Sequence, residues 1–210
     1  MEPKIEENNI KYKRVKQIIQ YLWKKNNSKP IYSVIDIGCE SDYMALQIAK
    51  VIDCNVNAVY VSSDECKNAK ARIDNAVSQG VLRPGQVSVY LENKFELKTK
   101  ISNKKYDLVS CADRISSYES IDNKTNLVQK IFDYKAEKGS VLITALCCQD
   151  DAFAKKYHNN EVIKYNSNEE IAKVLMFDET TDFYISLFED IKGEKIKHKR
   201  LDQECVLFYI

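Results

Sequence analysis

Five short apolar runs alternating with segments of helical period constrain this chain more than any other feature. Residues 31–37, 56–61, 87–91, 106–111 and 141–146 have strand length and are rich in β-branched side chains. Residues 56–61 look as a strand buried on both faces should, whereas residues 87–91 alternate. Between them, residues 44–52, the stretch through Ala69, Ile73 and Val77, and the stripe Leu127, Val128, Ile131 and Phe132 carry helical spacing. Ser62 with Glu65 three residues on is a capping-box start, and Gly80 is a C-terminal stop. Arg83-Pro84-Gly85 and Lys138-Gly139 read as turns. Ahead of this series, Ile10 to Lys25 forms a helix with Ile10, Ile18, Ile19, Leu22 and Trp23 on one stripe and Lys11, Lys13, Arg14, Lys16, Lys24 and Lys25 among the basic residues. Behind it come a weaker helix over 169–176 and two strands, Phe183–Phe188 and Cys205–Ile210. His198, among Lys195, Lys197, Lys199 and Arg200, reads as an alternating exposed strand.

Repeated strand-helix units close into a parallel sheet with right-handed crossovers. The expectation is an α/β fold: a doubly wound, mostly parallel seven-stranded sheet with an antiparallel C-terminal strand pair. One domain over residues 1–210 is expected, residues 1–9 being a flexible lead.

Composition removes several classes of function. The 32 Lys and Arg nearly cancel 31 Asp and Glu, so no global field holds a polyanion and any nucleic-acid contact must be a local patch. The seven Cys (Cys39, Cys54, Cys66, Cys111, Cys147, Cys148 and Cys205) are odd in number and have no CxxC pair, the usage of buried thiols in a reducing compartment. Neither His158 nor His198 stands at ligand spacing from a Cys, so no metal is expected. The opening MEPKIEENN lacks a signal-length apolar stretch, and no run reaches the about 20 apolar residues of a membrane span. A cytoplasmic or otherwise intracellular protein without membrane contact is therefore expected. Neither a P-loop nor a nucleophile elbow is present, and the absence of GxGxxG argues against a dinucleotide oxidoreductase.

In a doubly wound sheet, ligands lie outside the carboxyl ends of the strands. The first loop to inspect there is Gly38 to Tyr43, in SVIDIGCESDYMALQIAK. This segment resembles motif I of class I S-adenosylmethionine-dependent methyltransferases, with the apolar strand, Asp36, Gly38 and Cys39 in place. Glu40 and Asp42 stand where that family has its second and third glycines, and are most simply negative charge at a helix N-terminus. NVNAVYVSSDECKNAKARI resembles the second strand and helix, in which an acid usually ends the strand and holds the ribose hydroxyls. That place falls on Tyr60, or on Val61 if the register moves by one. VSVYLENKFEL resembles the third-strand segment, with Asn93 near the adenine amine. YDLVSCADRISSYES and EKGSVLITALCCQDD resemble the fourth and fifth strands with their loops.

The resemblance implies a Rossmann-like methyltransferase fold that binds S-adenosylmethionine through Asp36, Gly38, Cys39, Tyr60, Val61, Asn93, Cys111 and Ala112. DLVSCADRISSYES is similar to the corresponding part of mRNA cap guanine-N7 methyltransferases, which places Asp113, Ser117, Tyr118 and Glu119 on the substrate side. The implied acceptor is RNA or another nucleotide-like substrate, the cap guanine among RNA acceptors. Catalytic residues are not assigned, since in-line methyl transfer to a ring nitrogen requires no general base. The replaced glycines and missing ribose acid motivate a second reading, an inactive methyltransferase fold acting as a binding or regulatory subunit for a partner chain.

Overall fold

Ile35 and its neighbours are apolar on both faces because they lie in the middle of a sheet. β1 (Ser33–Ile37) pairs in parallel with β2 (Asn55–Tyr60), from Ser33↔Asn55 to Ile37↔Val59. On its other side it pairs with β4 (Tyr106–Ala112), through Val34↔Leu108, Ile35↔Val109 and Asp36↔Ser110. β3 (Val87–Leu91) continues the parallel set beyond β2. The computed structural model describes residues 10–38, 43–92, 104–112, 114–117, 120–147, 180–193, 195–202 and 205–210. Its strand order is β3-β2-β1-β4-β5-β7-β6, a sheet of seven strands as expected. The chain divides into two compact units, one within Met1–Ser110 and Tyr134–Ser140, the other within Cys111–Asp133 and Val141–Ile210.

In the first unit, α1 (Ile10–Asn26) buries Ile18, Ile19 and Leu22 and leaves Lys13, Lys16 and Lys24 exposed. Arg14, one of the basic residues of this helix, is buried. α2 (Tyr43–Ile52) buries Ala45, Ile48 and Ala49. α3 (Ser63–Ser78) starts as its capping signal requires, with Ser62 Oγ accepting from the Glu65 amide at 3.4 Å. It ends two residues ahead of Gly80, which holds φ +70. In the turn before β3, the Gln86 amide donates to the Arg83 carbonyl at 3.1 Å and Gly85 takes φ +76, the left-handed position that follows Pro in a type II turn. Gln86 itself is buried and clamps its surroundings, donating Nε2 to the Ala49 and Cys54 carbonyls and accepting from the Arg83 amide.

Lys138-Gly139 is not a turn. It lies inside β5 (Lys135–Leu146), which begins well ahead of the apolar run that announced it. A Cβ on Gly139 would stand 2.6 Å from the Tyr106 carbonyl oxygen and 3.0 Å from backbone atoms of Ala136. Glycine is there for close backbone approach, a role that Lys-Gly composition does not distinguish from a turn.

In the second unit, α4 (Ile121–Tyr134) buries Leu127, Val128 and Ile131, as its stripe requires. The expected strand Phe183–Phe188 is instead part of a helix, α5 (Thr181–Lys192). Its aromatic content favours strand, but Tyr184, Leu187 and Phe188 are buried at helical spacing. Both helix ends are also fixed. Thr180 Oγ1 accepts from the Phe183 amide at 3.2 Å, and Gly193 closes the helix at φ +74. The sixth strand is β6 (Lys197–Arg200), the exposed segment around His198. It pairs antiparallel with β7 (Cys205–Tyr209), which in turn pairs antiparallel with β5 from Leu142↔Tyr209 to Leu146↔Cys205. The helix expected over 169–176 lies outside the described residues.

Cys54, Cys66, Cys111, Cys147 and Cys205 are all buried, as their apolar surroundings predict. Burial pushes the Cys54 thiol up to about 12, with Asp53 and Asp107 adding to the rise and a backbone hydrogen bond opposing it. Because the folded thiol holds its proton more tightly than the unfolded one, this contribution is complete below the ordinary thiol range and is lost as pH climbs from there toward 12. Wild-type protein is expected to lose stability relative to Cys54→Ala by at most about 1.4 kcal/mol per pH unit in that window. Denaturant midpoints of the two proteins at neutral and alkaline pH measure this, and a constant difference would count against it.

Candidate functional site

The direction of strand addition reverses between β1 and β4, and in doubly wound sheets ligands bind outside the carboxyl ends of the strands beside such a point. Asp36, near the end of β1, is 1% exposed. The Ser110 hydroxyl, opposite it on β4, donates to its Oδ1. A buried carboxylate in a strand needs such a donor. Two residues on, Gly38 turns the chain at φ +72 while its amide donates to the Val59 carbonyl at 2.9 Å. A side chain is disfavoured in that left-handed conformation, which ties the glycine to the turn itself. Cys39, Glu40 and Asp42 lie outside the described residues.

Tyr60 ends β2 fully buried, and Val61 follows half-buried. Glu92, just past β3, donates its amide to the Tyr60 carbonyl at 2.8 Å. With Tyr60↔Leu91 in register, Glu92 stands alongside Val61. Its side chain is buried, and Oε1 accepts no hydrogen bond from any described residue. Asn93, the next residue, lies outside the described residues. The first unit thus brings Asp36, Gly38, Tyr60 and Val61 to the carboxyl ends of adjacent strands.

In the second unit, Cys111 is fully buried and Ala112 half-buried at the end of β4. A 3-10 turn follows over Ile115–Ser117. Ser116 ties this turn to the end of β5, accepting from the Leu146 amide at 2.7 Å and donating to the Leu146 carbonyl at 3.5 Å. Ser117 sits in the same turn, whereas Asp113, Tyr118 and Glu119 lie outside the described residues.

Ser110, Ser116 and Glu92 were not among the expected site residues. Ser110 is signalled only as a polar residue within the run LVSC, and its partner is fixed by parallel register, which the local sequence does not encode. Glu92 is adjacent to the expected Asn93. Among the described residues there is no cluster of His, Cys, Asp and Glu that could hold a metal ion. Among the described residues, no helix is long and apolar enough to cross a membrane.

A mostly parallel seven-stranded sheet with an antiparallel C-terminal pair and a turn glycine after a buried β1 acid defines the Rossmann-like methyltransferase class. Residues 7–181 match the methyltransferase domain family, and the chain belongs to that family. No curated protein is significantly similar in sequence. Among solved structures, magnesium protoporphyrin IX methyltransferase of Synechocystis PCC 6803, with bound SAH, superposes at TM-score 0.65 and 12% identity over 94% of this chain and 82% of that one. The N-methyltransferase NodS of Bradyrhizobium japonicum WM9, in complex with S-adenosyl-L-homocysteine, gives 0.63 and 12% over 97% and 88%. An O-methyltransferase family protein of Burkholderia thailandensis gives 0.67 and 11% over 93% of this chain, which spans only 55% of that protein's length. At these identities the similarity is one of fold.

Proposed function

We propose that this chain is a methyltransferase that binds S-adenosylmethionine at the carboxyl ends of β1, β2 and β3. The observation that carries the reading is the buried Asp36 followed by Gly38 in a left-handed turn, at the point where the strand order reverses. The residues present fit an adenosyl group: Gly38 keeps the turn open to a close-lying ligand, and the enclosed Glu92 Oε1 is an acceptor for hydroxyl or amine donors. When bound, S-adenosylmethionine supplies an electrophilic methyl group. The protein's part is to hold acceptor and donor in line and keep water out, which for a nucleophilic ring nitrogen requires no catalytic base. Family membership, and the SAH held by two of the similar structures, support this reading.

RNA is the acceptor class we put first, the cap guanine included, supported by the exposed Lys13, Lys16 and Lys24 of α1 and by the resemblance of residues 107–120 to the cap enzymes. The five buried thiols support an intracellular, reducing setting. Titration calorimetry with S-adenosylhomocysteine is expected to show one site of micromolar affinity. No detectable heat at millimolar ligand would overturn the cofactor reading and favour an inactive fold that serves a partner chain. Transfer of labelled methyl to small amines but not to capped or uncapped RNA would overturn the RNA assignment alone.

A further inference from the structure

Resting on that cofactor reading, we infer that Glu92, at the end of β3, takes the ribose hydroxyls in place of the acid that this family usually carries at the end of β2. The chain has no acid at either candidate position, Tyr60 or Val61. Tyr60 is fully buried, and a phenol cannot accept from two neighbouring hydroxyls as a carboxylate can. The register then becomes decisive. Tyr60↔Leu91 and the Glu92 amide bond to the Tyr60 carbonyl set Glu92 directly beside Val61. Adjacent strands are about 4.8 Å apart, a distance a glutamate side chain spans, so a carboxylate rooted on β3 can serve the end of β2.

The second observation is chemical. Glu92 is 8% exposed, and its Oε1 is enclosed without accepting a hydrogen bond from any described residue. Native proteins rarely leave a buried acceptor unmatched, and a bound donor would account for this one. A vicinal diol supplies two donors to one carboxylate, one of them for the enclosed Oε1.

Glu92→Gln and Glu92→Ala test this in the full chain, by calorimetry with S-adenosylhomocysteine, its 2′-deoxy analogue and the analogue lacking the adenine amine. Wild-type protein is expected to bind the 2′-deoxy compound about tenfold to a hundredfold more weakly than the parent, the value of a hydrogen bond to a charged group. Both variants should lose a similar factor for the parent and no longer distinguish the two ligands. Their thermal midpoints without ligand should be unchanged or raised, because an enclosed acceptor without a donor has been removed. Variants that bind like wild type overturn the assignment, as does a lowered midpoint with binding intact, which would make Glu92 structural. Lost discrimination against the amine-free compound alone would place Glu92 at adenine and overturn the ribose role. Wild-type protein that binds none of the ligands overturns the cofactor reading, and this assignment with it.

Discussion

Phe208→Ala is expected to cost about 4 kcal/mol of unfolding free energy, the range for emptying a large aromatic from a core. Phe208 is fully buried on β7. Its ring stands 4.9 Å from that of Phe188 in an edge-to-face arrangement, with Tyr184 at 6.1 Å. Both partners come from α5, so this cluster is what fastens the helix to the strand. Removing the central ring forfeits its transfer energy, leaves a cavity and breaks its contacts with the Phe188 and Tyr184 rings. Against total stabilities of about 5–15 kcal/mol, that is a large fraction. A lower denaturant midpoint at unchanged slope is the expected record, and Phe208→Leu should lose far less. A cost below about 1 kcal/mol would mean that α5 is not packed on β7.

Ser110→Ala is expected to destabilise by about 1.5–3 kcal/mol, large for the loss of one hydroxyl, because it withdraws a hydrogen bond from a carboxylate in a nearly dry place. Asp36 is 1% exposed and Ser110 fully buried, and they face each other in the β1–β4 register. Replacing both, as Asp36→Leu with Ser110→Ala, should cost clearly less than the two single changes added together. The same variants should weaken S-adenosylhomocysteine binding, since Asp36 lies two residues ahead of the Gly38 turn. Additive single costs in the cycle would show that the two groups do not depend on each other.

The sheet was legible in the sequence because most of its strands are buried on both faces, and such strands announce themselves as unbroken apolar runs. Residues 34–37 and 141–145 are buried without interruption, which is why their sequences carry no alternation. The same signal misled at Phe183–Phe188, where aromatic residues in a short run imitate a strand. Thr180 and Gly193 held the correcting information, since a cap residue and a left-handed glycine bracket a helix-length segment. At the site, Asp36 and Gly38 could be found from their own segment because a buried acid and a turn glycine are local necessities. Ser110 and Glu92 could not, because their placement depends on which residue of a neighbouring strand stands opposite. Pairing register is a property of the assembled sheet. Of the expected cofactor and substrate residues, Cys39, Asn93, Asp113, Tyr118 and Glu119 fall outside the described part of the chain.

β6 carries a consequence for behaviour in concentrated solution. It is the last strand in the sheet order, and Lys197, His198, Lys199 and Arg200 are all exposed. A terminal strand offers open amide and carbonyl groups to any passing extended chain, and a flat apolar one would recruit copies of itself. Four residues, three of them Lys or Arg, make each approaching duplicate repel the first. That edge of the sheet is thereby guarded against fibrous self-association by charge.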